Sequence, residues 1–283
     1  MKLRPRPSFG RKLTDAIIKM LSTCAACVGI FFLAWILLEV FRRGASALNW
    51  TFFSQLPTPP GVEGGGVVNA MLGTLLMTAL ATCMGVPAGL LAGVYLSEFG
   101  KHTRLGAAVR FTVNVLMGIP SIIIGLFVFI LFVAPVRHFS GYAGAIALAI
   151  LMFPVVTRTT EDMLGMVPNA LREATLCIGA PRWMATLTIL FRAAKTGLLT
   201  GVLLSVARVS GETAPLLFTA LNSPYLLKSL NEPLGNLTVT IFQYAMSPYP
   251  DWNRIAWGAS LVIMLAVLAL NIVARFILKE AKR

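Results

Sequence analysis

The sequence predicts an all-α integral membrane protein: one transmembrane domain of six helices spanning residues 1–283. Three observations predict it. Of 283 residues, 57% are hydrophobic and only 12% charged, with mean hydropathy +0.79; soluble domains carry roughly 25% charged residues. Apolar runs of about 20 residues, the length that crosses a hydrocarbon core as a helix, recur along the chain. Lysine and arginine are concentrated in alternate connections, as the positive-inside rule requires. That sorting accounts for the formal net charge of +13 as topology, so lipid is the expected surroundings and no nucleic-acid partner is expected.

The first run, 17–41, is long enough to span, and no A-x-A-like site follows it, so it reads as a retained helix and not a removed signal. The connection 44–68 holds Pro57, Pro59, Pro60 and Glu63-Gly64-Gly65-Gly66, a density that predicts a flexible link. No Lys-Ser or Lys-Thr follows these glycines, so they are not a phosphate-binding loop. The second run, 69–97, carries Gly85, Gly89 and Gly93 at four-residue spacing, and the fifth, 196–220, carries Gly197 and Gly201. Small residues so spaced let helix backbones approach closely. The third run is 111–134; the fourth, 142–160, is interrupted by Pro154; the sixth is 255–278. Between the last two, 221–253 contains Pro224, Pro233, Pro248 and Pro250 and reads as irregular.

With the N-terminus inside, 18 of the 24 Lys and Arg residues lie on the cytoplasmic side and 5 outside (Arg42, Arg43, Arg137, Lys228, Arg254), with Arg208 inside the fifth run. Both termini are therefore expected in the cytoplasm, together with the connection 161–195. Cys24, Cys27, Cys83 and Cys177 form no pair spaced as an extracellular staple. The Cys24/Cys27 pair lacks a second ligand pair, so no metal is expected.

The connection reads PNALREATLCIGAPRWMATLTILFR from Pro168. Pro168 suits the first turn of a helix, Glu173 suits early turns near the positive end of the dipole, and Gly179 suits a left-handed helix stop. Pro181 can start a second helix with Trp183, Leu187 and Leu190 on one face. The expectation is a compact helix–turn–helix knob. Within the fifth run, Arg208 and Glu212 are four residues apart, hence on one face of a continuous helix. Charge inside a membrane pairs, lines a wet cavity, or both. Two readings stay open: an ion pair that fixes packing, or an anion site in which the guanidinium fork meets an oxyanion, with Ser205, Ser210 and Thr213 adding hydroxyls.

Glu173-Ala174, with Gly179 six residues after the Glu and Ile189 ten after the Gly, resembles the EAA loop of ABC importer permeases. In that family the loop docks on an ATPase subunit. Thr175 stands where the family has a second Ala, and Phe191-Arg192 where it usually has Leu-Pro. The run Ala207-Arg208-Val209-Ser210-Gly211-Glu212-Thr213-Ala214-Pro215 resembles the fifth span of the phosphate-importing branch. So do Val167-Pro168-Asn169 and Phe153-Pro154 through Arg158 to Met163, and the likeness runs over essentially the whole chain. The resemblance implies the MetI-like fold of type I importers. It implies a substrate pathway carrying Arg208, Glu212, Thr213, Ser210 and Arg158, and an ATPase-coupling surface at Glu173, Ala174, Gly179, Arg172 and Trp183. It implies as partners a homologous second permease, a pair of ATPase subunits and an extracytoplasmic phosphate-binding protein. No G-x-x-x-x-G-K-[ST] occurs, so no catalytic residue and no cofactor are expected in this chain, ATP and Mg belonging to the ATPase. A permease for phosphonate, sulfate or molybdate, or an ion-gradient-driven phosphate transporter, are the alternatives.

Overall fold

The computed structural model describes residues 9–62 and 64–280. Lys2, Arg4, Arg6, Lys282 and Arg283, counted above toward topology, and Glu63 of the glycine run lie outside the described residues, as do the side chains of Arg275 and Lys279. Helices are α1 (Phe9–Ala45), α2 (Trp50–Ser54), α3 (Val68–Val94), α4 (Arg104–Gly118), α5 (Ser121–Val128), α6 (Gly141–Gly165), α7 (Asn169–Cys177), α8 (Arg182–Met184), α9 (Phe191–Ser210), α10 (Ala214–Thr219), α11 (Leu237–Ala245) and α12 (Pro250–Glu280). Wider π-helical turns extend α3 through Tyr95–Phe99 and α5 through Phe129–Val133, and join α8 to α9 through Ala185–Leu190.

Among the described residues, five helices are long and apolar enough to cross a membrane: Gly10–Ala45, Val68–Phe99, Gly141–Gly165, Arg182–Ser210 and Pro250–Val273. The run 111–134, expected as one straight span, is broken into two helices, Arg104–Gly118 and Ser121–Val133, meeting at 106°; together they are apolar enough to count as a sixth crossing. Pro120 is the cause. The residue before a proline is pushed out of helical conformation, and Ile119 is extended, with φ −77° and ψ 129°. Pro154 does the opposite of what its sequence position suggests, sitting buried inside an unbroken α6.

Helix α6 is the axis of the bundle: 56% of its apolar window is buried, against none of α1's. Both glycine repeats face it. A Cβ on Gly89 would lie 2.7 Å from Val156 Cβ, and one on Gly93 2.5 Å from Thr160 Cβ. On α9, a Cβ on Gly197 would overlap Met163 Sδ, and one on Gly201 would overlap Thr159 Cγ2. Met77 and Ala81 of α3, Leu148, Met152 and Val156 of α6, Val209 of α9 and Leu216 of α10 form the main core. Helix α1 packs on α12, with Gly44 against Leu261 and Arg43 over the Trp257 ring at 5.2 Å.

Two connections are more ordered than expected. Gly66 is pressed against the end of α2, where a Cβ would meet the Gln55 and Thr51 carbonyl oxygens at 2.5 Å, and Val67 N–H donates to Phe52 O at 3.0 Å. Gly65, against Thr58, and Gly66 are therefore packed and not slack. The stretch 221–253 contains α11, capped by Asn236, whose Oδ1 accepts from Val239 N–H at 2.8 Å. Leu237 N–H donates to Thr74 Oγ1 at 2.8 Å, and Thr238 Oγ1 donates to Glu212 O at 2.8 Å. These bonds fix the stretch onto α3 and onto the segment after α9.

Candidate functional site

Two regions carry the candidate residues. The first is the projecting end formed by α7 and α8. Pro168 lies just before α7 as its cap, with ψ 139°, and Glu173 sits in mid-helix, not in the first turn. Gly179 has φ +81°. Its N–H donates to Leu176 O at 3.0 Å, and Ala180 N–H reaches Thr175 O at 3.4 Å. This pair of bonds is the Schellman stop, which needs a left-handed residue at that position. The expected separate second helix is a correction: α8, the π-helical turn and α9 form one helix, Arg182–Ser210. Pro181 starts it, and no proline follows where the related loops carry Leu-Pro, so nothing breaks it. The π-helical turn also changes the facing expected for this helix. Trp183 and Leu187 are exposed while Leu190 is buried.

Glu173, Ala174, Leu176, Ile178 and Trp183 are exposed together on this end. Arg172 does not join them. Its Nη2 and Nε donate to the two carboxylate oxygens of Glu98 at 2.9 and 3.2 Å, Nη2 also donates to Leu164 O at 2.6 Å, and Nη1 bonds Val167 O and Asn169 Oδ1. It is turned inward as a strut. A second strut lies beside it. Arg110 Nε pairs with Glu161, and its Nη2 donates to Leu96 O at 2.8 Å. Leu96 lies in the π-helical turn, where widening the helix disturbs the ordinary carbonyl pairing. Arg158 joins this cluster through two acids, 3.6 Å from Glu161 and 3.2 Å from Asp162. Glu98, Arg110 and Glu161 were missed in the sequence. The signal present was an acid directly at the end of an apolar run, followed by Lys101, Arg104 and Arg110.

The second region is the end of α9. The run 196–220 does not form one helix. Gly211 caps α9, and Pro215 opens α10. A helix continuing through this point would place the Pro215 ring against the Gly211 carbonyl and remove that carbonyl's N–H partner. Arg208 is thus in the last turn of α9, and Glu212 lies in the break, not on the same helix face. They still meet, Arg208 Nε to Glu212 Oε1 being 3.9 Å. That is ion-pair range without a hydrogen bond. The Arg208 side chain is 60% exposed and that of Glu212 17%. Ser205 and Ser210 donate to the Val202 and Ala207 carbonyls at 2.7 and 2.9 Å, so their hydroxyl protons are occupied. Thr213 is half-buried in the break beside Glu212. Arg208 is an exposed guanidinium with donors to spare at an interruption of a membrane-crossing helix, an arrangement suited to an oxyanion.

A multi-pass helical bundle with an exposed helical projection at one end and a charged break in one crossing helix defines the class: a membrane-spanning transport permease. The chain belongs to the family of binding-protein-dependent transport system inner membrane components, whose model matches residues 85–279. It is 47% identical over 97% of both chains to the phosphate transport system permease protein PstA of Haemophilus influenzae. It is 43% identical, over its whole length and 96% of the relative, to PstA of Yersinia pestis. A probable PstA of Methanocaldococcus jannaschii is 34% identical over 95% of each chain. The fold is shared with the inward-facing MetNI methionine ABC transporter (TM-score 0.66, 21% identity, 77% of this chain and 96% of that one). It is also shared with a bacterial alginate ABC transporter (TM-score 0.66, 13% identity, 92% and 93%).

Proposed function

We propose that this chain is a permease subunit of an ATP-driven phosphate importer. The observation that carries the proposal is identity of 34–47% over nearly the full length to permeases named for phosphate transport, and the exposed guanidinium of Arg208, ion-paired with Glu212 but not hydrogen-bonded to it, agrees with it. The chain is a single transmembrane domain with both termini and the 161–195 segment in the cytoplasm. A homologous second permease completes the pathway, two ATPase subunits carry ATP and Mg, and an extracytoplasmic phosphate-binding protein delivers substrate. The chain itself holds no cofactor and does not hydrolyse ATP. The exposed surface of Glu173, Ala174 and Trp183, shaped by the Gly179 turn, meets the ATPase. ATP binding moves α7, the bundle opens outward to receive phosphate at Arg208, Ser210, Glu212 and Thr213, and hydrolysis restores the inward-facing state. Arg158 lies nearer the cytoplasmic exit, where its paired acids moderate its hold on the anion.

The test is uptake of labelled phosphate into proteoliposomes containing this chain with its permease, ATPase and binding-protein partners. ATP-dependent uptake that excess sulfate or molybdate does not suppress is expected. Preferred uptake of another oxyanion would overturn the assignment to phosphate. Uptake by this chain alone, driven by an ion gradient, would overturn the ATP-driven class.

A further inference from the structure

We infer that Glu98 and Arg172 form a transmission strut that makes α7 and α3 move as one body when the ATPase engages. This rests on the reading of α7 as the ATPase-docking helix. Its covalent links, Met166–Pro168 on one side and Ile178–Pro181 on the other, are short and non-helical. Alone, they would let the helix rock without carrying the bundle with it. Arg172 supplies the missing connection. Its guanidinium holds both oxygens of Glu98 on the extension of α3, and two carbonyls at and just past the end of α6. The Arg172 and Glu98 side chains are only 20% and 12% exposed, so solvent screens the pair little and a planar two-point contact resists rotation.

The chain of contacts continues. Ser97 Oγ donates to the same carboxylate at 3.0 Å. Arg110 ties Leu96, in the same π-helical turn, to Glu161 on α6. Beyond it, α3 is locked to α6 through Gly85, Gly89 and Gly93, and α9 is locked to α6 through Gly197 and Gly201. A push on α7 therefore reaches the α3–α6 pair directly, in addition to the covalent route into α9. Glu98 is a positioning residue: it touches neither the exposed α7 surface nor Arg208, and its role is mechanical. Glu173, beside Arg172 in sequence, faces outward and is left for the partner.

The experiment uses the full complex with two readouts. Native Cys177 on α7 and Cys83 on α3, both exposed, are spin-labelled after C24S and C27S, with the partner chains free of cysteine. In the wild type the distance between them should be single and the same without nucleotide and with bound ATP. In E98Q it should change or broaden on ATP binding, and phosphate moved per ATP hydrolysed should fall at least tenfold. R172K, which keeps charge but loses the fork, should behave like E98Q, while E98D should recover part of the coupling. A merely structural role would reduce assembly and thermal stability together with transport, leaving the ratio of transport to hydrolysis unchanged. The inference is overturned by a wild-type distance that shifts with ATP, or by matching distances in wild type, E98Q and R172K. A complex that moves no phosphate but shows the expected distances would instead refute the phosphate assignment and leave the strut standing.

Discussion

Replacing Arg208 by lysine isolates the geometry of the guanidinium from its charge. In the structure its closest contact with Glu212 is 3.9 Å, at Nε, too far for a hydrogen bond, and among the described residues neither Nη group is held by a hydrogen bond, which leaves both open to an incoming oxyanion. Lysine preserves the counter-charge to Glu212 but offers a point charge in place of two parallel donors. Losing one charge-assisted hydrogen bond costs about 1.5–3 kcal/mol. At about 1.4 kcal/mol per decade, uptake should fall roughly 10- to 150-fold. Folding should hardly respond, because an ion pair with one partner this exposed is worth no more than about 1 kcal/mol. The assay is the initial rate of phosphate uptake by the reconstituted complex over a range of phosphate concentrations, beside thermal unfolding of the purified complex. R208K uptake within threefold of wild type, with normal assembly, would refute the assignment of Arg208 to substrate.

Other outcomes follow from the same geometry. Glu212→Gln removes the negative charge that repels sulfate and adds an amide donor in place of one carboxylate oxygen, so the sulfate-to-phosphate uptake ratio should rise; an unchanged ratio in a transporting mutant would leave Glu212 as a packing partner only. Gly179→Val should cost about 1–2 kcal/mol from backbone conformation alone, since a Cβ there would meet no atom within 4 Å, and should lower uptake, whereas Gly179→Asn should retain most of it; equal uptake by both variants would refute this. Gly89→Val should lower the unfolding temperature by overpacking against Val156, at about 1–3 kcal/mol, with partial recovery in Val156→Ala; a neutral Gly89→Val would contradict the seam. Native Cys177 should react with impermeant thiol reagents only from the cytoplasm and a cysteine at Tyr225 only from outside; labelling from one side would overturn the topology. Tyr225 is 73% exposed, whereas Gly65 has φ +82° and is crowded by Thr58, so a cysteine there would disturb the turn.

Much of this protein is written locally. Membrane crossing depends on the summed hydropathy of about 20 neighbouring residues, so the all-helical membrane class was legible in the sequence. The Gly179 stop was legible too, because a left-handed backbone is open to glycine at almost no cost and closed to most other residues. Even the break after α9 had its cause in view, Gly211 followed four residues later by Pro215, though a reading by hydropathy passed over it. The same holds for Pro120, whose effect on Ile119 bends what looked like one span. Pro154 shows the limit of that reasoning: an identical residue type is accommodated inside α6, where packing on all sides holds the helix together. What the tertiary structure alone decided is which groups meet. Arg172 and Glu173 are adjacent and both charged, yet one turns inward to Glu98, 74 residues away, and the other outward. The glycine seams announced close approach but not that both would close on α6. Hydropathy and backbone preference act within a turn or two of the chain. The choice of partner for a buried charge or a bare helix face is settled only when distant segments compete for the same space.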